Sequence, residues 1–237
     1  MTDPSQQTSI AGFTTFVRNV MRVAQAYLPD DSPYLTWMYD QALNIVNQDL
    51  ACLPYQKGAW SLYAQAAYNL GGALLAEFAP DQSWPVAAAS WANFLATIQT
   101  TVPNTLSPGD RVLISGISPL AYDQPPAPNR GPFQVNAIVD PTHFTYALSP
   151  NPGVASIGAN AVVSMTFFSA LRTQLKMNAF FPGMVQGAGD QGTSASFDSP
   201  EFFKGLSLYD LQLMKSPWGR SYLALAQKAG PAVWGIN

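Results

Sequence analysis

The chain contains a single histidine and a single cysteine, so nucleophilic chemistry of the common kinds would have to pass through one of them. His143 lies in DPTHFTY, three residues after Asp140. A Ser–His–Asp relay also needs a serine presented on a sharp elbow, and no G-x-S-x-G occurs. Cys52 sits between Leu50 and Leu53 and reads as a packed thiol; one cysteine allows neither an intrachain disulfide nor a CxxC motif. One histidine excludes a histidine-based zinc site. Asp123 and Asp140 could serve calcium, but no D-x-D-x-D-G loop surrounds them.

The carboxylates of the helical regions are Asp30, Asp31, Asp40, Asp49, Glu77 and Asp81. None falls in a pattern that places two acids across a substrate. Asp30 and Asp31 precede Ser32–Pro33, where a helix N-terminus accounts for them. GAGDQG, Gly187 to Gly192, matches G-x-G-x-x-G. A dinucleotide fingerprint must follow a strand and open a helix, whereas TSASFDSP follows here, so a glycine loop is expected. No pattern calls for a cofactor or a metal, and the chain is expected not to be an enzyme.

The elements around these residues are strongly patterned. Phe13, Phe16, Val17, Val20, Ala24 and Tyr27 recur at helical spacing and predict a helix over 13–28. Ser32–Pro33 opens a second helix, which buries Leu35, Met38, Ala42, Ile45 and Val46. A third, over 59–78, carries Trp60, Tyr63, Ala67, Leu70 and Leu74. Its Gly71–Gly72 pair costs helix stability unless another backbone comes close. A fourth helix is expected over 86–99, after Trp84–Pro85.

The texture then changes. Residues 101–166 hold ten of the twenty prolines, with strand-like runs RVLISG, FQVNAIV, HFTYAL and AVVSMTF and turn chemistry at Gly109–Asp110 and Asn151–Pro152–Gly153. They predict a small inserted sandwich or barrel. Helical texture resumes near Ser169, and a Gly/Ser-rich arm covers 182–198. Ser199–Pro200–Glu201 starts a short helix, and Ser207 with Asp210 makes a capping-box pattern. Ser216–Pro217 starts the last helix, with Trp218, Tyr222, Leu225 and Ala229 on its apolar face and Gly230–Pro231 stopping it. The expected fold is a mainly α-helical bundle with an inserted small all-β domain, α+β overall: residues 1–100 and 168–237 helical, 101–167 β, and a tail over 230–237.

Charge is scarce. Only 11% of residues are charged, against about 25% in ordinary soluble proteins, and none lies between Lys57 and Glu77, Asp81 and Asp110, or Asp140 and Arg172 apart from His143. Polar residues and prolines interrupt these gaps, which argues against membrane spans. A surface covered by copies of the chain or by partners explains them better, because interface cores are depleted in charge. Net charge is −3, with no basic stripe for gripping nucleic acid. Arg18 and Arg22 read as a solvated helix face. The first residues, MTDPSQQTSIAG, resemble no secretory signal, so synthesis in a cytoplasm without export by that route is expected.

The order of the pieces resembles the head–tail connector (adaptor, or head-completion) proteins of tailed bacteriophages. In that family a small helical bundle carries a G-x-V-[ST]-S-A-x-x-G-S-V-S-type arm and closes with a T-x-[YW]-G-x-x-[YF] helix. Gly183, Val185, Gly189, Gly192, Ser194, Ser196 and Phe197 follow the arm pattern, and Ser216, Trp218, Gly219 and Tyr222 the closing one. The resemblance covers about 13–80 and 180–228. The insert is similar to small β domains of phage structural proteins, with G-D-x-V-x-I-S-G, F-x-V and F-T-Y strands.

The resemblance implies a virion protein of the neck. It would form a ring of about twelve copies beneath the portal, joined to tail or neck proteins, with DNA passing through its channel. The insert would reach capsid or fibre, and no membrane is involved. Implied interface residues are Trp218, Gly219, Tyr222, Trp234, Ile236, Gly71, Gly72, Val185, Gly192, Ser194 and Phe197. The alternatives are a tail-completion or baseplate protein, and a glycan-binding module presenting Tyr122, Phe133 and Tyr146.

Overall fold

The structure, a computed structural model, describes residues 8–49, 61–123, 131–179, 187–190, 193–196 and 207–228. They divide into two compact units. One comprises residues 1–23, 30–79 and 171–237, the other residues 24–29 and 80–170.

The first unit is helical. α1 (Ile10–Asn19) starts at Ser9, whose hydroxyl accepts from the Gly12 N–H. It ends well short of the expected residue 28. Arg22 has a positive φ of 58°, and the Arg18 guanidinium binds the Val23 carbonyl at 2.8 Å, fixing the reversal. Arg18 and Arg22 therefore share no helix face. α2 (Pro33–Asp49) opens on its proline. α3 (Leu62–Phe78), capped by Ser61, is buried nearly all round, as a central helix must be. α5 (Leu208–Leu213) and α6 (Pro217–Lys228) close the unit. Their core joins Ala42 and Val46 of α2, Leu70 and Leu74 of α3, Leu213 of α5 and Tyr222 of α6.

The second unit is a closed antiparallel barrel. Its strands are β1 (Ser83–Ala92), β2 (Leu95–Thr100), β3 (Arg111–Ser118), β4 (Phe133–Asp140), β5 (His143–Ala147) and β6 (Ser156–Met165), in the order β1-β2-β5-β4-β3-β6. Val112, Ile114, Val135, Phe144, Tyr146 and Val163 alternate inward to fill it, the period-2 pattern of a half-buried strand. Residues 24–29 belong here: the Ala26 carbonyl accepts from Gln82 and Thr105, and Tyr27 donates to Asp110 and stacks on Phe167 at 4.2 Å. α4 (Phe167–Gln174) follows β6.

The barrel corrects the fold expected from sequence. The chain is α+β, an antiparallel six-stranded sheet with six helices among the described residues, and not a mainly helical bundle carrying a small insert. The helix expected over 86–99 is the β1–β2 hairpin. Its alanines suit a helix, but Trp84 and Val86, then Ala96, Ile98 and Thr100, are buried at alternate positions. Closing the barrel outweighs a propensity worth tenths of a kcal/mol per residue.

A two-stranded hairpin, β7 (Gly187–Asp190) with β8 (Thr193–Ser196), lies between α4 and α5 in the chain. No helix is long and apolar enough to cross a membrane, among the described residues.

Candidate functional site

The joint between α5 and α6 is built from local chemistry. Ser207 and Asp210 form a complete capping box: the serine hydroxyl accepts from Asp210 N–H, and the carboxylate accepts from Ser207 N–H. One turn beyond α5, the fully buried Ser216 accepts from Gly219 N–H at 2.9 Å and caps α6. Pro217 follows at the first helical position, where its missing N–H costs nothing. Gly219 is required by its surroundings: a Cβ there would collide with the Leu213 carbonyl oxygen.

The same packing explains Gly71 and Gly72. A Cβ on Gly71 would stand 2.9 Å from the Phe13 ring. One on Gly72 would stand 3.0 Å from the Met21 sulfur, 3.1 Å from Phe16 and 3.6 Å from Trp218. Both glycines admit α1, and Gly72 also faces the half-buried Trp218. Tyr222 is buried in the same core. So the structure brings Trp218, Gly219, Tyr222, Gly71 and Gly72 together inside one unit of one chain, where their small or flat shapes serve its own packing. Lys215 ties the joint to the end of the α4 segment by donating to the Met177 and Ala179 carbonyls.

Ser194 lies on β8, opposite Gly189 of β7. Gly187–Asp190 is thus a strand of a hairpin rather than a turn that opens a helix. Val185, Gly192, Phe197, Trp234 and Ile236 lie outside the described residues.

His143 and Asp140 do meet, on the exposed β4–β5 turn. The Asp140 carboxylate accepts from the Thr142 and His143 backbone N–H groups at 2.7 and 2.9 Å and pairs with His143 Nδ1. The histidine first, then the Thr142 N–H, hold its pKa down at about 2. Every partner belongs to the turn itself, which this cluster staples. No group of three His, Cys, Asp or Glu side chains suited to a metal is found among the described residues.

The aromatic residues of the glycan alternative are barrel core: Tyr122 and Tyr146 are fully buried and Phe133 nearly so. Tyr146 donates to the Tyr122 carbonyl and Tyr122 to the Gly153 carbonyl. Burial raises the pKa of both phenols. Their rings offer no sugar platform.

A surface that sequence reasoning missed lies at the β1–β2 end of the barrel. A cavity of about 350 Å³ is lined by Ala89, Ser90, Trp91 and Tyr122 and, across from them, by Asn151 and Gly153 to Ala155. The Trp91 indole donates to the Leu148 carbonyl at 2.8 Å and meets the Phe94 ring edge-on. Phe94 is 67% exposed and Val154 is 92% exposed. The assignment of 86–99 to a helix hid this site, although the Thr-containing run LATIQT was the available strand signal. No protein-family model matches the chain, and no curated protein matches its sequence.

Proposed function

We propose that the chain is a structural protein of a tailed-phage virion, a head-to-tail connector that assembles as a ring under the portal. The observation that carries this reading is an order of parts. Three helices, α1–α3, precede a Gly/Ser hairpin that pairs with itself (β7–β8), and a capped α5 leads through Ser216–Pro217–Trp218–Gly219 into the closing helix. Two further features support it. The helical unit exposes large apolar side chains, with Trp37 and Phe78 each 56% and Leu208 73% accessible, as a surface covered in an assembly would. The net charge of −3 lets DNA pass a channel without adhering, since affinity for the phosphate backbone comes from Lys and Arg.

Native mass spectrometry and electron microscopy of the chain, alone and with the portal ring of its own phage, test the reading. A closed ring, or portal rings decorated with this chain, is expected. A chain that stays monomeric at micromolar concentration and leaves the portal bare would overturn it. Deleting residues 231–237 is expected to abolish attachment while leaving a folded monomer by circular dichroism.

A further inference from the structure

The barrel is incompletely zipped at the cavity. β1 pairs with β6 only through Ser83, Trp84 and Pro85, and beyond Val86 its ladder runs to β2 alone. The register shows which backbone groups are left over. Phe94 carbonyl accepts from Leu148 N–H, and Thr100 N–H donates to Thr142 carbonyl, so the even-numbered residues of β2 bond toward β5. Leu95, Thr97 and Gln99 therefore bond toward β1, and their partners are Ala92, Ser90 and Ala88. By the alternation of an antiparallel ladder, Ala89 and Trp91 direct their N–H and C=O groups away from β2, on the side where the cavity opens. Neither makes a backbone hydrogen bond there among the described residues.

The surroundings select what could fill the edge. Among the described residues, no charged residue lines the cavity. Its side-chain polar groups are mostly committed: Tyr122 to Gly153, the Trp91 indole to Leu148, and Asn151 Oδ1 to Gly153 N–H. A sugar would need several free side-chain donors and acceptors, whereas a strand needs the backbone pairs that Ala89 and Trp91 hold out. Ala89, Gly153 and Ala155 are small enough for another backbone to approach. Phe94 is mostly exposed, with a positive φ of 64°. That conformation is unfavourable for a bulky residue.

We propose that the open β1 edge at Ala89–Trp91 is a docking site for an extended, uncharged peptide segment of a partner protein. The segment adds as a strand between β1 and Asn151–Ala155 and sets an apolar side chain against Trp91, Phe94 and Val154. This is β-strand addition, in which main-chain bonds give affinity and alternate side chains give specificity. It does not depend on the connector reading.

Two measurements on the full chain test it. In residue-resolved hydrogen exchange of the free protein, the Ala89 and Trp91 amides are expected to exchange at least tenfold faster than those of Ala88 and Ser90. Equal protection would mean that the edge is already paired, and would overturn the proposal. In titration with a blocked pentapeptide of alternating threonine and valine, those two amides are expected to become protected. Two controls should each weaken the peptide at least tenfold: N-methylation of the peptide along one edge, and the Ala89→Pro variant. The proline removes an N–H that β2 does not use, so the barrel is expected to stay folded. No binding at millimolar peptide, equal binding of the N-methylated peptide, or displacement of the peptide by neutral chitotetraose would each overturn the proposal.

Discussion

Gly219 shows how a single residue can look like a contact site and be a packing requirement. The missing Cβ leaves room for the Leu213 carbonyl, so the short link between α5 and α6 can fold back on the first turn of α6. Gly219→Ala is expected to destabilise the chain by about 1–3 kcal/mol through the forced backbone shift; a urea midpoint equal to that of the parent would refute this. Asp140 makes a prediction of a different kind. Its folded pKa of about 2 lies below the unfolded value of about 3.9. A depressed carboxylate contributes stability that is present above the unfolded pKa and lost as pH falls through the folded one. The melting temperature of Asp140→Asn should therefore fall less steeply than that of the parent between about pH 4 and pH 2. Parallel curves would show that the turn cluster contributes nothing.

At the scale of elements, helix ends are held by residues distant in the chain as well as by neighbours. Asp81 accepts from the Phe168 and Ser169 N–H groups at 2.6 and 3.0 Å and so caps α4 from 87 residues away. Arg172 of α4 reaches the Ala76, Glu77 and Ala79 carbonyls at the end of α3. Asp81→Ala is expected to cost about 1 kcal/mol, the usual worth of an N-cap, read by chemical denaturation. The β1–β2 turn predicts the opposite sign. Asn93 and Phe94 both have positive φ, 51° and 64°, the signature of a type I′ turn, which favours Asn-Gly. Phe94→Gly should raise stability by up to about 1 kcal/mol, the relief of left-handed strain less the entropy of glycine. A lower melting temperature would mean that the ring stabilises the folded barrel.

These elements also show where sequence was readable. Ser207 with Asp210, and Ser216 with Pro217, announced two helix starts because their hydrogen bonds join residues three apart. The strands β3 and β4 were legible from period-2 alternation, and β5 and β6 from the strand-like runs HFTYAL and AVVSMTF. The stretch 86–99 was not, because its alanines fit either state and the decision rests with partners such as Phe144 and Tyr146, far away in sequence. Trp91 and the cavity beside it disappeared with that misassignment. Gly71 and Gly72 pointed to another backbone coming close, whereas side chains of the same chain, Phe13 and Phe16, take up that space, a tertiary fact that local sequence does not carry.

Over the whole molecule, few charges leave few ion pairs. Among the described residues these are Arg18–Asp30 and the His143–Asp140 contact. Screening therefore has little to act on. The melting temperature is expected to change by less than about 2 °C between 0.05 and 0.5 M sodium chloride, measured by scanning calorimetry; a larger fall would reveal charge pairing among the remaining residues.

The helical unit is assembled from both flanks of the barrel sequence, and α3 packs on α6 although about 140 residues separate them. Synthesis runs in one direction, at about 5–20 residues per second. Buried nearly all round in the finished fold, α3 therefore leaves the ribosome on the order of ten seconds before α6 exists to cover it. Through that interval the part of α3 that meets α6, where Gly72 lies beside Trp218, faces solvent or a chaperone. A nascent chain arrested before Ser216 should accordingly be retained by a hydrophobic-segment holdase and released once α6 has emerged.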